Sequence, residues 1–218
     1  MKLSKVFFLF ATILIFTSCS NDKALRAKAN MLAHKFIITD GHIDTPWKLS
    51  KNYEDISLRT KTGDFDYIRA KEGGLDVPFM AVYIPSSYLE TGGAKEKADS
   101  LIDMVEQIAA KDPDKFEIAY SLADANRIFK EGKVALPMGM ENGAGIEDDI
   151  SNLKHFYDRG IRYITLTHSK DNLICDSSYD ESDDTWGGLS PYGRKVVKEM
   201  NRLGIMVDIS HVTDEVTN

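Results

Sequence analysis

The stretch Asp149–His168, DISNLKHFYDRGIRYITLTH, contains the pattern of one complete helix-to-strand unit. It predicts a helix over Asp149–Arg159 that is ended by Gly160, followed by an apolar strand over Ile161–Thr167. His168 comes directly after that strand. A helix followed by an apolar strand is the repeating unit of an α/β protein.

A second unit of the same kind occupies Ser190–His211. Pro191 lies in the first turn of a predicted helix that runs to Leu203 and ends at Gly204. The apolar run Ile205–Ile209 then predicts the last strand. The elements predicted before these two units are the strands Phe36–Asp40, Val77–Ile84 and Val134–Met140, and the helices Ala24–Lys35, Ala94–Ala110 and Ser121–Gly132.

The order of these elements predicts an α/β fold with a parallel sheet. Thr45–Gly74 is polar and is predicted to be irregular, and from Val77 onward apolar strands alternate with helices. Such alternation is typical of a parallel sheet that is covered by helices. A doubly wound sheet and a (β/α)8 barrel both fit this order, and the polar residues at the strand ends decide between them.

Four of the five predicted strands end in side chains that can bind a metal or carry a proton. His42 and Asp44 follow the first strand two positions apart, and an extended chain would place both on one face. Glu141, His168 and His211 follow the third, fourth and fifth strands. In a parallel barrel these ends share one rim, where barrel active sites lie. Because imidazole and carboxylate ligands suit Zn²⁺, the pattern predicts a binuclear metal hydrolase on a barrel.

These residues lie in motifs that resemble the membrane (renal) dipeptidase family. The matching motifs are DGHIDTPW (residues 40–47), GMENG (139–143), LTH (166–168), and a long block from GGLSPYGR (187–194) through MVDISHV (206–212). The resemblance extends from about Phe36 to the C-terminus, and the last block is highly specific. It implies a zinc peptidase on a (β/α)8 TIM barrel that hydrolyses dipeptides, with two zinc ions in each complete active site.

The resemblance also implies a role for each matching side chain. The implied ligands are His42 and Asp44 for one zinc ion, Glu141 as a bridge between both ions, and His211 for the second ion. His168 is implied to face the substrate and to stabilise the developing oxyanion, which makes it both a catalytic and a substrate-binding residue. Trp47 is implied to line the substrate pocket.

The motifs match only the N-terminal part of the family's catalytic domain. The family's second histidine for the second zinc ion, its proton-transferring carboxylate and its arginine for the substrate carboxylate fall beyond Asn218. We therefore expect residues 36–218 to form a partial barrel that is truncated after about five of its eight strands. We also expect the 218-residue chain by itself to be an inactive fragment. For a full-length form of the protein, a homodimer is one assembly that the sequence leaves open.

Residues 1–18 have the pattern of a lipoprotein signal peptide. Two lysines are followed by an apolar run that is too short to span a bilayer, and small residues then precede Cys19. This pattern predicts cleavage before Cys19 and lipidation of its thiol, with residues 19–35 as a tether and leading helix. The sequence therefore predicts an exported bacterial lipoprotein that is anchored to a membrane on its periplasmic or outer face.

The net charge of −7 argues against a nucleic-acid partner, because an acidic surface repels phosphate. Two functions other than dipeptidase remain open. One is a different binuclear barrel amidohydrolase, although these enzymes usually begin with His-x-His and often use a bridging lysine, where this chain has His42-Ile43-Asp44 and Glu141. The other is a non-catalytic lipoprotein that binds peptides, which a measurement of zinc content would separate from both enzymes.

Overall fold

The structure is a computed structural model that describes residues 22–182 and 184–217. The predicted signal peptide and Cys19 lie outside these residues. Within the described ranges, no helix is both long enough and apolar enough to cross a membrane.

A five-stranded parallel sheet forms the centre of the fold. Its strands are β1 (Thr39–Ile43), β2 (Val77–Tyr83), β5 (Met138–Glu141), β6 (Ile161–Thr165) and β7 (Met206–Asp208). A smaller parallel sheet pairs β3 (Phe116–Ile118) with β4 (Val134–Leu136). The helices are α1 (22–33), α2 (Thr45–Lys51), α3 (Tyr67–Gly73), α4 (Tyr88–Thr91), α5 (Ala94–Lys111), α6 (Leu122–Lys130), α7 (Ser151–Asp158) and α8 (Pro191–Leu203). Short 3₁₀ helices cover Gly143–Ile146 and Asp214–Thr217.

The strand order of the main sheet, β1-β2-β5-β6-β7, follows the order of the chain. A doubly wound sheet would instead reverse its strand order at a switch point. The sheet is also curled. The evidence is a hydrogen bond between Tyr163 on β6 and His42 on β1. A flat sheet, with strands ~4.8 Å apart, would hold these two strands ~14 Å from each other. Order and curl are those of a barrel, and the predicted parallel α/β class is confirmed.

The apolar face predicted for α5 packs against this sheet. Ala98, Leu101, Ile102 and Val105 follow one another at helical spacing, and all four are fully buried. The ends of α8 are also as predicted. The Ser190 side chain accepts a hydrogen bond from the backbone N–H of Gly193 at 2.8 Å, which satisfies one of the free N–H groups of the first turn.

The predicted strand Val134–Met140 is wrong as a single element, because Pro137 divides it. Proline has no backbone N–H and so cannot continue the hydrogen-bond ladder. Its carbonyl accepts a hydrogen bond from the N–H of Met80 at 2.8 Å. The segment before Pro137 therefore joins the small sheet as β4, and the segment after it enters the main sheet as β5. The prediction contained no partner for β4, since the three-residue strand β3 was missed.

The prediction that Thr45–Gly74 is irregular is also wrong in part, because α2 and α3 lie within it. Pro46 occupies the first turn of α2 and is buried with Leu49. The Asp66 side chain caps α3 by accepting a hydrogen bond from the N–H of Arg69 at 2.8 Å. The first strand begins at Thr39 and not at Phe36, which is 55% exposed.

Candidate metal centre

The predicted site residues meet at the carboxyl edge of the main sheet. His42 lies near the end of β1, and Glu141 is the last residue of β5. His168 and His211 each lie three residues beyond the end of a strand, β6 and β7 respectively. This placement agrees with the expectation that these strand ends share one rim.

Glu141 lies between two groups of donor atoms. Its Oε2 is 3.4 Å from Nε2 of His42, and this same nitrogen is 3.5 Å from Oδ1 of Asp44. Its Oε1 is 3.3 Å from Nε2 of His211 and 3.6 Å from Nε2 of His168. Within each group the donor atoms lie within 4.8 Å of one another. One carboxylate thus presents a different oxygen atom to each of two groups.

The donor atoms fit a metal better than they fit one another. The separations of His42 from Asp44 and of Glu141 from His42 and His211 are 3.3–3.5 Å, which is longer than good hydrogen bonds of ~2.7–3.2 Å. Two ligands bound ~2.0–2.2 Å from a tetrahedral ion lie about 3.3–3.6 Å apart, and the observed separations fall in this range. Neutral imidazole and ionised carboxylate are the ligand types that such an ion takes. The residues therefore fit a metal in each group.

The charges of the site depend on the buried carboxylate. The contact with the Glu141 carboxylate raises the pKa of His42, while burial acts against it. Burial raises the pKa of Glu141, but the contact with His42 and its charge, with smaller effects of His168 and His211, outweigh burial and leave this pKa below its usual range. Burial lowers the pKa of His168. Glu141 is therefore ionised at neutral pH and His168 is a neutral imidazole.

A β-bulge at the end of β1 aims His42 into the site. Asp40 pairs with Pro78 and Ile43 with Met80, so β1 has one residue more than β2 between these two pairs. Asp44 lies beyond the strand, at the residue before α2, with φ −78° and ψ 20°. His42 and Ile43 are still part of β1, and Asp44 is the first residue beyond it. That an extended chain places His42 and Asp44 on one face stays a prediction.

Two site positions have a backbone conformation that non-glycine residues rarely adopt. Asn142, directly after Glu141, has φ 80°. Its amide donates to the carbonyl of Ile84 at 2.9 Å, and its side-chain oxygen accepts from the N–H of Ala144 at 3.1 Å. These bonds fix the backbone where β5 ends. The two hydrogen bonds of Asn142 therefore hold Glu141 in position, although the chain changes direction directly after it.

His211 itself has φ 68°. Its carbonyl accepts hydrogen bonds from the N–H of Ser178 at 2.9 Å and from the hydroxyl of the same residue at 3.1 Å. Ser177 and Val212 form an antiparallel bridge beside them. The loop that follows β6 therefore holds the strained backbone of His211 in place.

Sequence reasoning missed Tyr163, whose hydroxyl is 2.8 Å from Nδ1 of His42. Burial raises the pKa of Tyr163, so the phenol stays protonated. Asp208, to which no chemistry was assigned, accepts hydrogen bonds from the hydroxyls of Thr165 at 2.5 Å and Ser210 at 2.7 Å. It therefore joins β6 to the turn before His211. Strand alternation places Tyr163 and Thr165 on one face of β6, and that was the available signal.

Trp47 contacts Tyr83, which in turn contacts the ring of His168. Its ring meets the ring of Tyr83 edge-on at 5.2 Å, and Tyr83 in turn lies 4.9 Å from the ring of His168. The ammonium groups of Lys51 and Lys97 lie 4.1 and 5.1 Å from the Trp47 ring centre. Tyr83 is therefore the aromatic neighbour of His168, and the role of Trp47 stays a prediction.

A parallel α/β sheet with carboxylate and imidazole groups at its carboxyl edge is typical of barrel-type metal-dependent hydrolases. The chain belongs to one family within this class. The family model described as "Membrane dipeptidase (Peptidase family M19)" matches residues 26–218, which confirms the resemblance inferred from the motifs. Members of this family are metallopeptidases, so membership implies a metal cofactor.

Individual relatives agree with this assignment. An uncharacterized dipeptidase of Schizosaccharomyces pombe is 36% identical over 203 residues, which are 86% of this chain and 49% of the relative. The crystal structure of the probable dipeptidase PvdM from Pseudomonas aeruginosa matches with a TM-score of 0.79 and 25% identity, over 89% of this chain and 51% of that one. This likeness confirms the predicted barrel class.

A third similar protein is a metallo peptidase from Rhodobacter sphaeroides, solved with a phosphinate mimic of the dipeptide L-Ala-D-Ala. It matches with a TM-score of 0.72 and 25% identity, over 83% of this chain and 60% of that chain. The present chain spans about half the length of the curated relatives it matches.

Proposed function

We propose that this chain carries the metal site of a dipeptidase, which hydrolyses dipeptides with water activated by two zinc ions. The observation that carries this proposal is the position of Glu141, whose two oxygens face separate groups of donor atoms. A carboxylate placed in this way can bridge two ions. Membership of the dipeptidase family supports the reaction class.

Zinc is the metal we propose, because imidazole and carboxylate donors at these separations suit a tetrahedral ion. His42, Asp44 and Glu141 would hold the first ion, and Glu141 and His211 the second. When bound, the two ions would supply an activated water and polarise the carbonyl of the scissile peptide bond.

We assign His168 a catalytic role and not a ligand role. Its Nδ1 is buried and has no hydrogen-bond partner among the described residues. Metal-binding histidines normally have their second ring nitrogen held by such a bond, as His42 has. A proton on Nδ1 would lack an acceptor, so we place it on Nε2, which faces Glu141. That N–H is a donor for the oxyanion that develops on the substrate carbonyl.

Two observations support a dipeptide as the substrate. A cavity of about 490 Å³, lined in part by His42, Glu141 and His211, adjoins the site. This volume is in the range that binds small ligands. The similar Rhodobacter sphaeroides protein holds a dipeptide mimic, and we infer the same ligand class here.

Hydrolysis of dipeptides by the zinc-loaded protein that carries this chain tests the proposal. L-Ala-D-Ala and L-Ala-L-Ala should release free amino acids, chelation should stop the reaction, and added zinc should restore it. Cleavage of a cyclic amide, with every dipeptide left intact, would instead favour the amidohydrolase alternative. Absence of bound zinc, together with no hydrolysis of either substrate, would favour a peptide-binding lipoprotein.

We also propose that the protein is exported and anchored through a lipid on Cys19, as the small residues before this cysteine suggest. Replacing Cys19 with serine should move the protein from the membrane fraction to the soluble fraction, or leave it unprocessed. Cys175→Ser is the matched control, because the Cys175 thiol is fully buried and burial raises its pKa to about 12. A Cys19→Ser protein that keeps a mature N-terminus and stays in the membrane fraction would contradict the anchor.

A further inference from the structure

The imidazole ring of His42 is contacted through both of its nitrogens. Nε2 faces Glu141 at 3.4 Å and Asp44 at 3.5 Å. On the other side of the ring, Nδ1 is 2.8 Å from the hydroxyl of Tyr163, a residue 121 positions later in the chain. This short contact has hydrogen-bond geometry, whereas the contacts of Nε2 have the longer separations of donors around a metal.

Tyr163 is itself held in place by its neighbours on the sheet. The residue is 7% exposed, and its ring centre lies 5.6 Å from that of Phe79 on β2. Gly139 pairs with Tyr163 across β5 and β6, and a Cβ atom at position 139 would lie 2.0 Å from the ring. The tyrosine ring therefore crosses the backbone of β5 where only glycine leaves room. A rigid side chain on β6 thus reaches across the sheet to a residue on β1.

We propose that Tyr163 is a positioning residue for metal binding, because its hydroxyl fixes the ring of His42 so that Nε2 faces Asp44 and Glu141. This inference rests on the proposed metal site and names a residue that controls it. The phenol oxygen accepts a hydrogen bond from the Nδ1–H of His42. The proton is then held on Nδ1, and Nε2 keeps its lone pair directed toward the metal position.

The other polar groups close to this cavity do not take this role. The Asp208 carboxylate receives hydrogen bonds from Thr165 and from both the N–H and the hydroxyl of Ser210. Among the residues that the structure describes, Tyr163 is the hydrogen-bond partner of His42 at Nδ1. Removal of the Tyr163 hydroxyl would leave this nitrogen without its partner and the ring free to rotate.

The test is zinc affinity in Tyr163→Phe, which removes one oxygen atom and keeps the packed ring. Competition with a chelating dye should show zinc bound about 10- to 100-fold more weakly at the His42 group than in the parent protein. Tyr192→Phe is the matched control, since the hydroxyl of Tyr192 is buried without a hydrogen-bond partner among the described residues. Its zinc affinity should equal that of the parent, and circular dichroism should show both variants folded.

A double-mutant cycle separates positioning from a general structural effect. In a His42→Ala background, Tyr163→Phe should change zinc affinity less than about twofold, because the ring that it positions is absent. An equal loss in both backgrounds would overturn the inference. Unchanged zinc affinity in Tyr163→Phe alone would overturn it while leaving the proposed function intact.

A crystal structure of Tyr163→Phe gives a readout that does not depend on metal. The His42 ring should be rotated or disordered in the variant. A ring in the parent orientation would overturn the inference whatever the metal content. Failure of the parent protein to bind zinc, by contrast, would overturn the proposed function, and the orientation of the His42 ring would still decide the positioning role.

Discussion

Replacing Glu141 with glutamine should remove both metal ions together and abolish hydrolysis. The amide keeps the size of the side chain but offers only one oxygen and no charge, so it cannot bridge two cations. In the structure, Oε2 faces the His42 group and Oε1 faces the His211 group, and the side chain, which lies between them, is 10% exposed. Zinc content and dipeptide hydrolysis, measured on the same preparation, should fall to background.

Glu147→Gln is the control for this experiment. Glu147 lies six residues later and accepts a hydrogen bond from the backbone N–H of Lys95 at 3.3 Å, which an amide oxygen can also accept. This variant should keep the zinc content of the parent. A Glu141→Gln protein that keeps one ion at full occupancy would mean that the carboxylate serves only one metal, and the bridging role would be wrong.

Replacing His168 with alanine should leave the bound zinc in place but slow turnover by about 100- to 1000-fold, the usual effect of losing one oxyanion donor. The expectation follows from the unsupported Nδ1 of His168 and from the burial that lowers its pKa, which together make Nε2–H a neutral donor. The measurements are kcat on a dipeptide and zinc content per chain, in the protein that carries this chain.

His155→Ala is a matched control, because His155 lies on α7 and pairs with Asp99 of α5 at 2.7 Å, outside the site. It should preserve both kcat and zinc content. Loss of zinc in the His168 variant would contradict its assignment as an oxyanion donor. The separation of 3.6 Å between Nε2 of His168 and Oε1 of Glu141 would then be that of two metal ligands.

Local sequence signals predicted those elements whose limits depend on nearby residues. The helix that begins at Pro191 and ends at Leu203 was predicted correctly because Ser190 and Gly204 mark its ends within the sequence itself. The strand positions of the reactive side chains were predictable for a related reason. Each one follows a short apolar run, and parallel strands bring such positions to one edge.

Features that depend on distant partners were missed. Pro137 interrupts an apolar run, but the separate sheet that it creates requires β3 as a partner, and β3 has only three residues. The helix α2 lies in a polar stretch, and its buried residues Pro46 and Leu49 become apolar contacts only when the sheet is present. Tertiary packing thus overrode the local composition at both places.

The site shows the same division. The identities of Glu141, His42 and His211 as candidate ligands followed from residue type and strand position. The bulge that aims His42 was not predictable, because it depends on the pairing of β1 with β2. The hydrogen bond to Tyr163 was also not predictable, because a tyrosine within a strand is ordinary and its partner lies on a strand that only the curl of the sheet brings near.

The central claim is that one carboxylate, Glu141, joins two metal positions, and anomalous diffraction at the zinc absorption edge tests it most directly. Crystals of the protein grown with zinc should give two anomalous peaks about 3.5–4 Å apart, the usual spacing of paired catalytic ions. One peak should lie beside His42, Asp44 and Oε2 of Glu141, and the other beside His211 and Oε1. A single peak, or two peaks of which neither contacts Glu141, would contradict the account.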